Sequence, residues 1–142
     1  MTETPPAKAD TSTAATAGLL LAFEQVSKHS PLTLSSYLKT SLFGSVVRTA
    51  MFGATLCFAA YASGSGIMNK KYVPAVLCAA GGAAAAFMTR SFAIHAGRAH
   101  KYMKMTETMA DAAVLKEMRA DAAPSLTIYK AHTQPARPNA PE

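Results

Sequence analysis

Residues 79–86 read Ala-Ala-Gly-Gly-Ala-Ala-Ala-Ala, eight side chains no larger than a methyl group, inside an apolar segment that runs from Tyr72 to Ile94. A helix over that segment, about 23 residues or ~34 Å at 1.5 Å per residue, is long enough to cross a hydrocarbon core of about 30 Å. With nothing larger than a methyl group along this run, a second backbone can approach very closely. Alanine and glycine gain little by transfer into lipid, so such a helix is expected to sit against protein, where close van der Waals packing at small residues drives association.

The charge pattern points the same way. Between Gln25 and Thr106 there is no Asp or Glu, yet that stretch holds nine basic residues, while the two ends carry five basic and eight acidic ones. The formal charge of +6 is therefore the sum of opposed parts. The basic residues flank apolar stretches instead of gathering on a water-facing helix, which excludes a nucleic-acid partner and suits anionic head groups or acidic partner chains. Only 15% of the 142 residues are charged and half are apolar, as in a small membrane protein.

The expected organisation is an all-α membrane protein built on a two-span transmembrane hairpin. Residues 1–13, of Thr, Pro and Ala character, should be extended. They also make a poor targeting peptide, being neither Arg-rich nor basic ahead of an apolar stretch. Residues 14–40 are expected to be interfacial, with a first helix over Ala14 to Lys28 and a second opened by Ser30-Pro31. The first transmembrane helix is expected over 41–63, where Ser45, Thr49, Gly53 and Cys57 form a stripe of small residues every four positions. Gly64-Ser65-Gly66 should end it, leaving a turn over 64–71. The second span is expected over 72–96, with Pro74 in its first turn and Cys78, Gly81, Gly82 and Ala86 on its packing face. An extramembrane C-terminal helix should continue over 97–123 with Tyr102, Met105, Met109, Ala112 and Ala113 on one face. Pro124 should stop it before an extended tail, 124–142. With two long spans in so short a chain, no separate soluble core is expected.

Few residues invite chemistry. Arg48 and Arg90 lie inside the spans, where an arginine costs about 2.5–3.5 kcal/mol at the bilayer centre. Both sit near the terminal-side ends of an antiparallel pair, so both can snorkel to one leaflet. With Arg98 and Lys101 they are candidates for contact with anionic lipid or with a partner's carboxylate, because the spans contain no acid. Cys57 and Cys78 are placed at matching depth by the expected turn; a disulfide there is possible, but two small apolar packing residues is the better reading. His95 and His100 fall about 140° apart around a helix, a poor start for a metal site. No catalytic, cofactor-binding or metal-binding residue is assigned, and no phosphate loop, nucleophile elbow or paired carboxylate is present. In outline the hairpin is similar to the proton-carrying ring subunit of rotary ATP synthases. It lacks that family's mid-helix carboxylate and Gly-x-Gly-x-Gly repeat, and also the alternating glycines of the cristae-organising hairpin subunit.

These features lead to the expectation of a non-catalytic accessory subunit of a large hetero-oligomeric membrane complex. A respiratory complex or ATP synthase of the mitochondrial inner membrane is the leading setting, with cardiolipin as the anionic lipid and both termini on the matrix side. The alternatives are a small transporter with Arg48 and Arg90 lining an anion path, and a self-associating hairpin that shapes membranes.

Overall fold

A computed structural model describes residues 10–133, together with the side chains of residues 10–130. Four helices make up almost all of it: α1 Thr11–Ser27, α2 Leu34–Met68, α3 Tyr72–Thr108 and α4 Asp111–Thr133. There is no strand among the described residues. The expected extended segment 1–13 and tail 124–142 lie outside this range at residues 1–9 and 134–142. Asp10 caps α1, its carboxylate accepting from the Thr11 N–H at 2.7 Å and from the Ser12 hydroxyl at 3.2 Å.

The antiparallel pair of α2 and α3 is the long axis of the molecule, and both helices are long and apolar enough to cross a membrane. They outrun the expected spans. α2 begins at Leu34 with Thr33 as its cap, the Thr33 hydroxyl accepting from the Ser36 N–H at 3.3 Å, so Ser30-Pro31 belongs to the connection and not to a helix start. It also runs through Gly64 and Gly66 to Met68, which shortens the turn from the expected 64–71 to Asn69–Lys71. The turn is a Schellman closure: the Lys71 N–H donates to the Gly66 carbonyl at 2.8 Å and the Lys70 N–H to the Ile67 carbonyl at 3.0 Å. Its left-handed position, where glycine usually sits, is occupied by Lys70 at φ 58°.

The two helices meet along residues spaced alternately three and four apart. On α2 these are Ser45, Thr49, Phe52, Leu56, Ala59, Ser63 and Gly66; on α3 they are Ala75, Cys78, Gly82, Ala85, Thr89 and Phe92. That is a period of 3.5, the repeat of left-handed coiled-coil packing. Gly82 admits α2 so closely that a Cβ placed on it would stand 3.3 Å from the Ala59 Cβ. A Cβ on Gly66 would stand 3.0 Å from that of Ala75. The Ser63 hydroxyl donates across to the Ala75 carbonyl at 3.0 Å, and Phe52 stacks on Phe92 with centroids 5.6 Å apart.

The buried core lies at one end of this hairpin. α1, the first turns of α2, the last turns of α3 and the whole of α4 enclose Leu20, Leu34, Leu38, Ala99, Tyr102, Val114, Met118 and Ala122. Two expectations are corrected here. The chain does contain a core apart from the spans, and α1 is one of its walls instead of a helix lying alone at an interface. The C-terminal helix is also not continuous over 97–123. α3 carries on to Thr108, the chain extends at Met109, and α4 folds back antiparallel to α1. The break resets the helical phase, so α4 buries Val114, Met118 and Ala122 while Met109 and Ala112 are exposed. Pro124 does not end α4, which continues to Thr133. Ala122 and Leu126, packed on the core at either side of the proline, hold the helix across the hydrogen bond that proline cannot make.

Candidate functional site

Two surfaces carry what this molecule can do, namely the sides of the hairpin and a cleft at its base. The hairpin sides are almost uncovered. In the most apolar stretches of α2 and α3 only 11% and 17% of residues are buried. Phe43, Met51, Phe58, Tyr61, Val73, Leu77 and Phe87 all point outward and stand more than 60% exposed. The core helix of a water-soluble protein would have these residues covered.

The small residues expected to pack are divided by the structure. Ser45, Thr49, Cys78 and Gly82 face the partner helix. Cys57, Gly81 and Ala86 are exposed, and a Cβ on Gly53 or Gly81 would meet nothing within 4 Å. A stripe at every fourth residue rotates about 40° per step away from a fixed seam, so the run that begins at Ser45 has left the interface by Cys57. The two cysteines are free, and they are not at equal depth. With the short turn centred on Lys70, Cys57 lies thirteen residues before it and Cys78 eight after it.

Of the four cations assigned to lipid or partner contact, two meet an acid of the chain itself. Asp121 on α4 accepts from Lys101 Nζ at 3.0 Å and lies 3.6 Å from Arg98 Nη1. It also accepts from the buried Tyr102 hydroxyl at 2.5 Å. These donors, the Tyr102 hydroxyl first, hold the Asp121 carboxyl below its ordinary range. Burial, reinforced by the bond to Asp121, pushes Tyr102 up to about 12. Arg98 and Lys101 therefore fasten α3 to α4. Arg48 and Arg90, by contrast, are exposed and make no ion pair among the described residues.

Arg48 borders a feature that the sequence did not reveal. Between α1, the α2 segment around Ser41–Arg48 and the α3 residues Phe92 and His95 lies an open cleft of 480 Å³. It forms because the facing positions are small: Gly18 and Ala22 on α1, and Ser41, Gly44 and Ser45 on α2. Such residues leave space where larger ones would interlock. Arg48 lies over the Phe92 ring with its guanidinium carbon 5.6 Å from the centroid. The only possible signal in the sequence was the glycine pair Gly18 and Gly44, and nothing there indicated that the two would face each other.

Comparisons with protein-family models, with curated proteins and with solved structures find no match for this chain.

Proposed function

We propose that this protein is a non-catalytic accessory subunit of a large membrane complex, in which the α2/α3 hairpin crosses the bilayer and the four-helix core stands outside it. The uncovered apolar surface of the hairpin carries this reading: side chains such as Phe58 and Phe87 require lipid or other membrane helices around them. The small outward residues Gly53, Gly81 and Ala86 then serve as close-approach points for neighbouring subunits. Two helices enclose no lumen, so an anion path along Arg48 and Arg90 would need several copies of the chain. The mitochondrial inner membrane fits the basic residues beside the spans, of which Arg48 and Arg90, exposed and without an ion pair among the described residues, suit cardiolipin. The cations on the terminal side outnumber Lys70 and Lys71 in the turn, a bias that supports an orientation with both termini on the matrix side.

The test is purification of a tagged chain from mitochondrial membranes in mild detergent, followed by native electrophoresis. Co-migration with a respiratory complex or ATP synthase is the expected result. Recovery as a lone chain or a homo-oligomer overturns the accessory-subunit reading. In mitoplasts, protease should spare an epitope at Glu142, whereas cleavage there reverses the topology.

A further inference from the structure

We propose that the cleft between α1, α2 and α3 is a binding site for the phosphate of an anionic phospholipid, with Arg48 as its counter-charge. The inference rests on the membrane placement above, but not on membership of any complex.

The volume of 480 Å³ falls within the range of small-molecule sites, about 300–1,000 Å³. Its wall is mixed in the manner of an amphiphile: Leu19, Ala22 and Phe92 supply apolar surface, while Ser41, Ser45, His95 and Arg48 supply polar groups. Among the described residues no carboxylate lines it. No acid among the described residues answers the charge of Arg48, and the cation–π contact with Phe92 holds the guanidinium at the cleft instead of letting it extend freely. An arginine fork presents donors in a geometry that matches two phosphate oxygens.

The position of the cleft favours a lipid over a free anion. Ser41 begins the apolar part of α2 and Arg48 lies about two turns further in, so the site straddles the depth at which phosphates end and acyl chains begin. Just beyond Arg48, Met51 presents exposed apolar surface along which an acyl chain can lie. A free phosphate would gain only the charge contact, whereas a phospholipid gains that contact and the apolar wall together.

The experiment uses the full chain purified in neutral detergent, with phosphatidic acid, phosphatidylcholine or inorganic phosphate added and bound species read by native mass spectrometry. Phosphatidic acid should bind with defined stoichiometry, and neither phosphatidylcholine nor inorganic phosphate should displace it. Arg48→Gln should weaken it at least tenfold, and Arg48→Lys should restore part of the loss. Gly44→Leu supplies an independent arm. Gly44 lines the cleft and a Cβ added there would meet nothing within 4 Å, so leucine can be accommodated without moving the backbone and should abolish binding with Arg48 still in place. Arg90→Gln, outside the cleft, should bind as wild type. Helix content by circular dichroism and resistance to carbonate extraction confirm that each variant is folded and inserted, so loss of insertion would count against the membrane placement and not against the site. Wild-type affinity in either Arg48→Gln or Gly44→Leu overturns the proposal. Equal binding of phosphatidylcholine, or displacement by inorganic phosphate, does so as well.

Discussion

Gly81 and Gly82 are neighbours in sequence, and replacing each with leucine should give opposite outcomes. A Cβ built on Gly82 stands 3.3 Å from the Ala59 Cβ and 3.8 Å from Leu56 Cδ1, so even alanine would press on α2. The three further carbons of leucine would have to pass Ala59 and Leu56 to reach the open groove that borders Gly82. The helices would have to separate by roughly 2 Å within the usual span of 8–10 Å, and overpacking of this kind costs about 1–3 kcal/mol. At Gly81, which is exposed, an added Cβ meets nothing within 4 Å, so leucine there can point away from α2. Both substitutions remove a glycine from a helix interior, a gain of about 1 kcal/mol that cancels between them. The difference between the variants is therefore the packing strain alone. Nitroxide labels at Thr55→Cys and Ala84→Cys, both exposed positions, in a background of Cys57→Ser and Cys78→Ser, report the helix separation by pulsed dipolar spectroscopy. Gly82→Leu should lengthen the distance or broaden its distribution, and Gly81→Leu should leave it at the wild-type value. An unchanged distance in Gly82→Leu, or an equal change in both, would refute the seam described above.

The turn and the Asp121 cluster make further predictions. Lys70→Gly should stabilise the hairpin by about 1 kcal/mol, because it relieves a left-handed residue that carries a side chain; no gain in the thermal midpoint of helix loss would count against strain at that position. The Asp121 carboxyl is held below its ordinary value of 3.8, so its contribution is present above that pH and is lost as the pH falls through the lowered value. Tyr102 is raised from 10.0 to about 12, so its contribution is complete below pH 10 and disappears between the two. Denaturant titration of the full chain by circular dichroism should show both arms. Tyr102→Phe should remove most of the alkaline one at a cost near 1 kcal/mol at neutral pH.

The two apolar stretches and the antiparallel pairing were legible because hydropathy and length alone decide them. The limits of the elements were not. Gly64-Ser65-Gly66 looked like a stop, yet the left-handed residue that closes the helix is Lys70, a residue type that gives no such signal. Gly66 instead serves close packing against Ala75. A stripe at every fourth residue passes through Ser45 and Thr49 on the seam and drifts off it by Cys57. Counting alternately three and four would have led through Phe52 and Leu56, residues too large to suggest a small-residue face. The core was missed for a different reason. Its members come from all four helices, and Leu20, Leu38, Tyr102 and Met118 are brought together only when α4 reverses at Met109. Of the candidate cations, Arg48 and Arg90 keep exposed positions without an acid. The partner of Arg98 and Lys101 is Asp121, twenty residues beyond Lys101 and reached only through the same reversal.

α2 and α3 use two kinds of contact along one continuous pair of helices, a difference that fits the proposed placement of the hairpin in lipid and of the head in water. In the hairpin the most deeply covered residues are small, Ser45, Ala59, Ala75, Gly82 and Ala85, with Phe52, Leu56 and Phe92 half-buried among them, as expected where backbone proximity and dispersion hold helices together. In the head the covered residues are large, Leu34, Leu38, Tyr102 and Met118, as expected where water makes burial favourable. Leu38→Ala therefore strikes only one of the two. It removes a fully buried side chain from the water-facing core, at a cost of about 2–5 kcal/mol. The hairpin seam from Ser45 to Gly66 keeps all its contacts. Hydrogen exchange on the full chain in lipid nanodiscs should show protection falling in α1 and α4 while it persists between Phe52 and Ala85. Protection lost equally along α2 and α3 would mean that the seam depends on the head, and that the hairpin is not held by its own small residues.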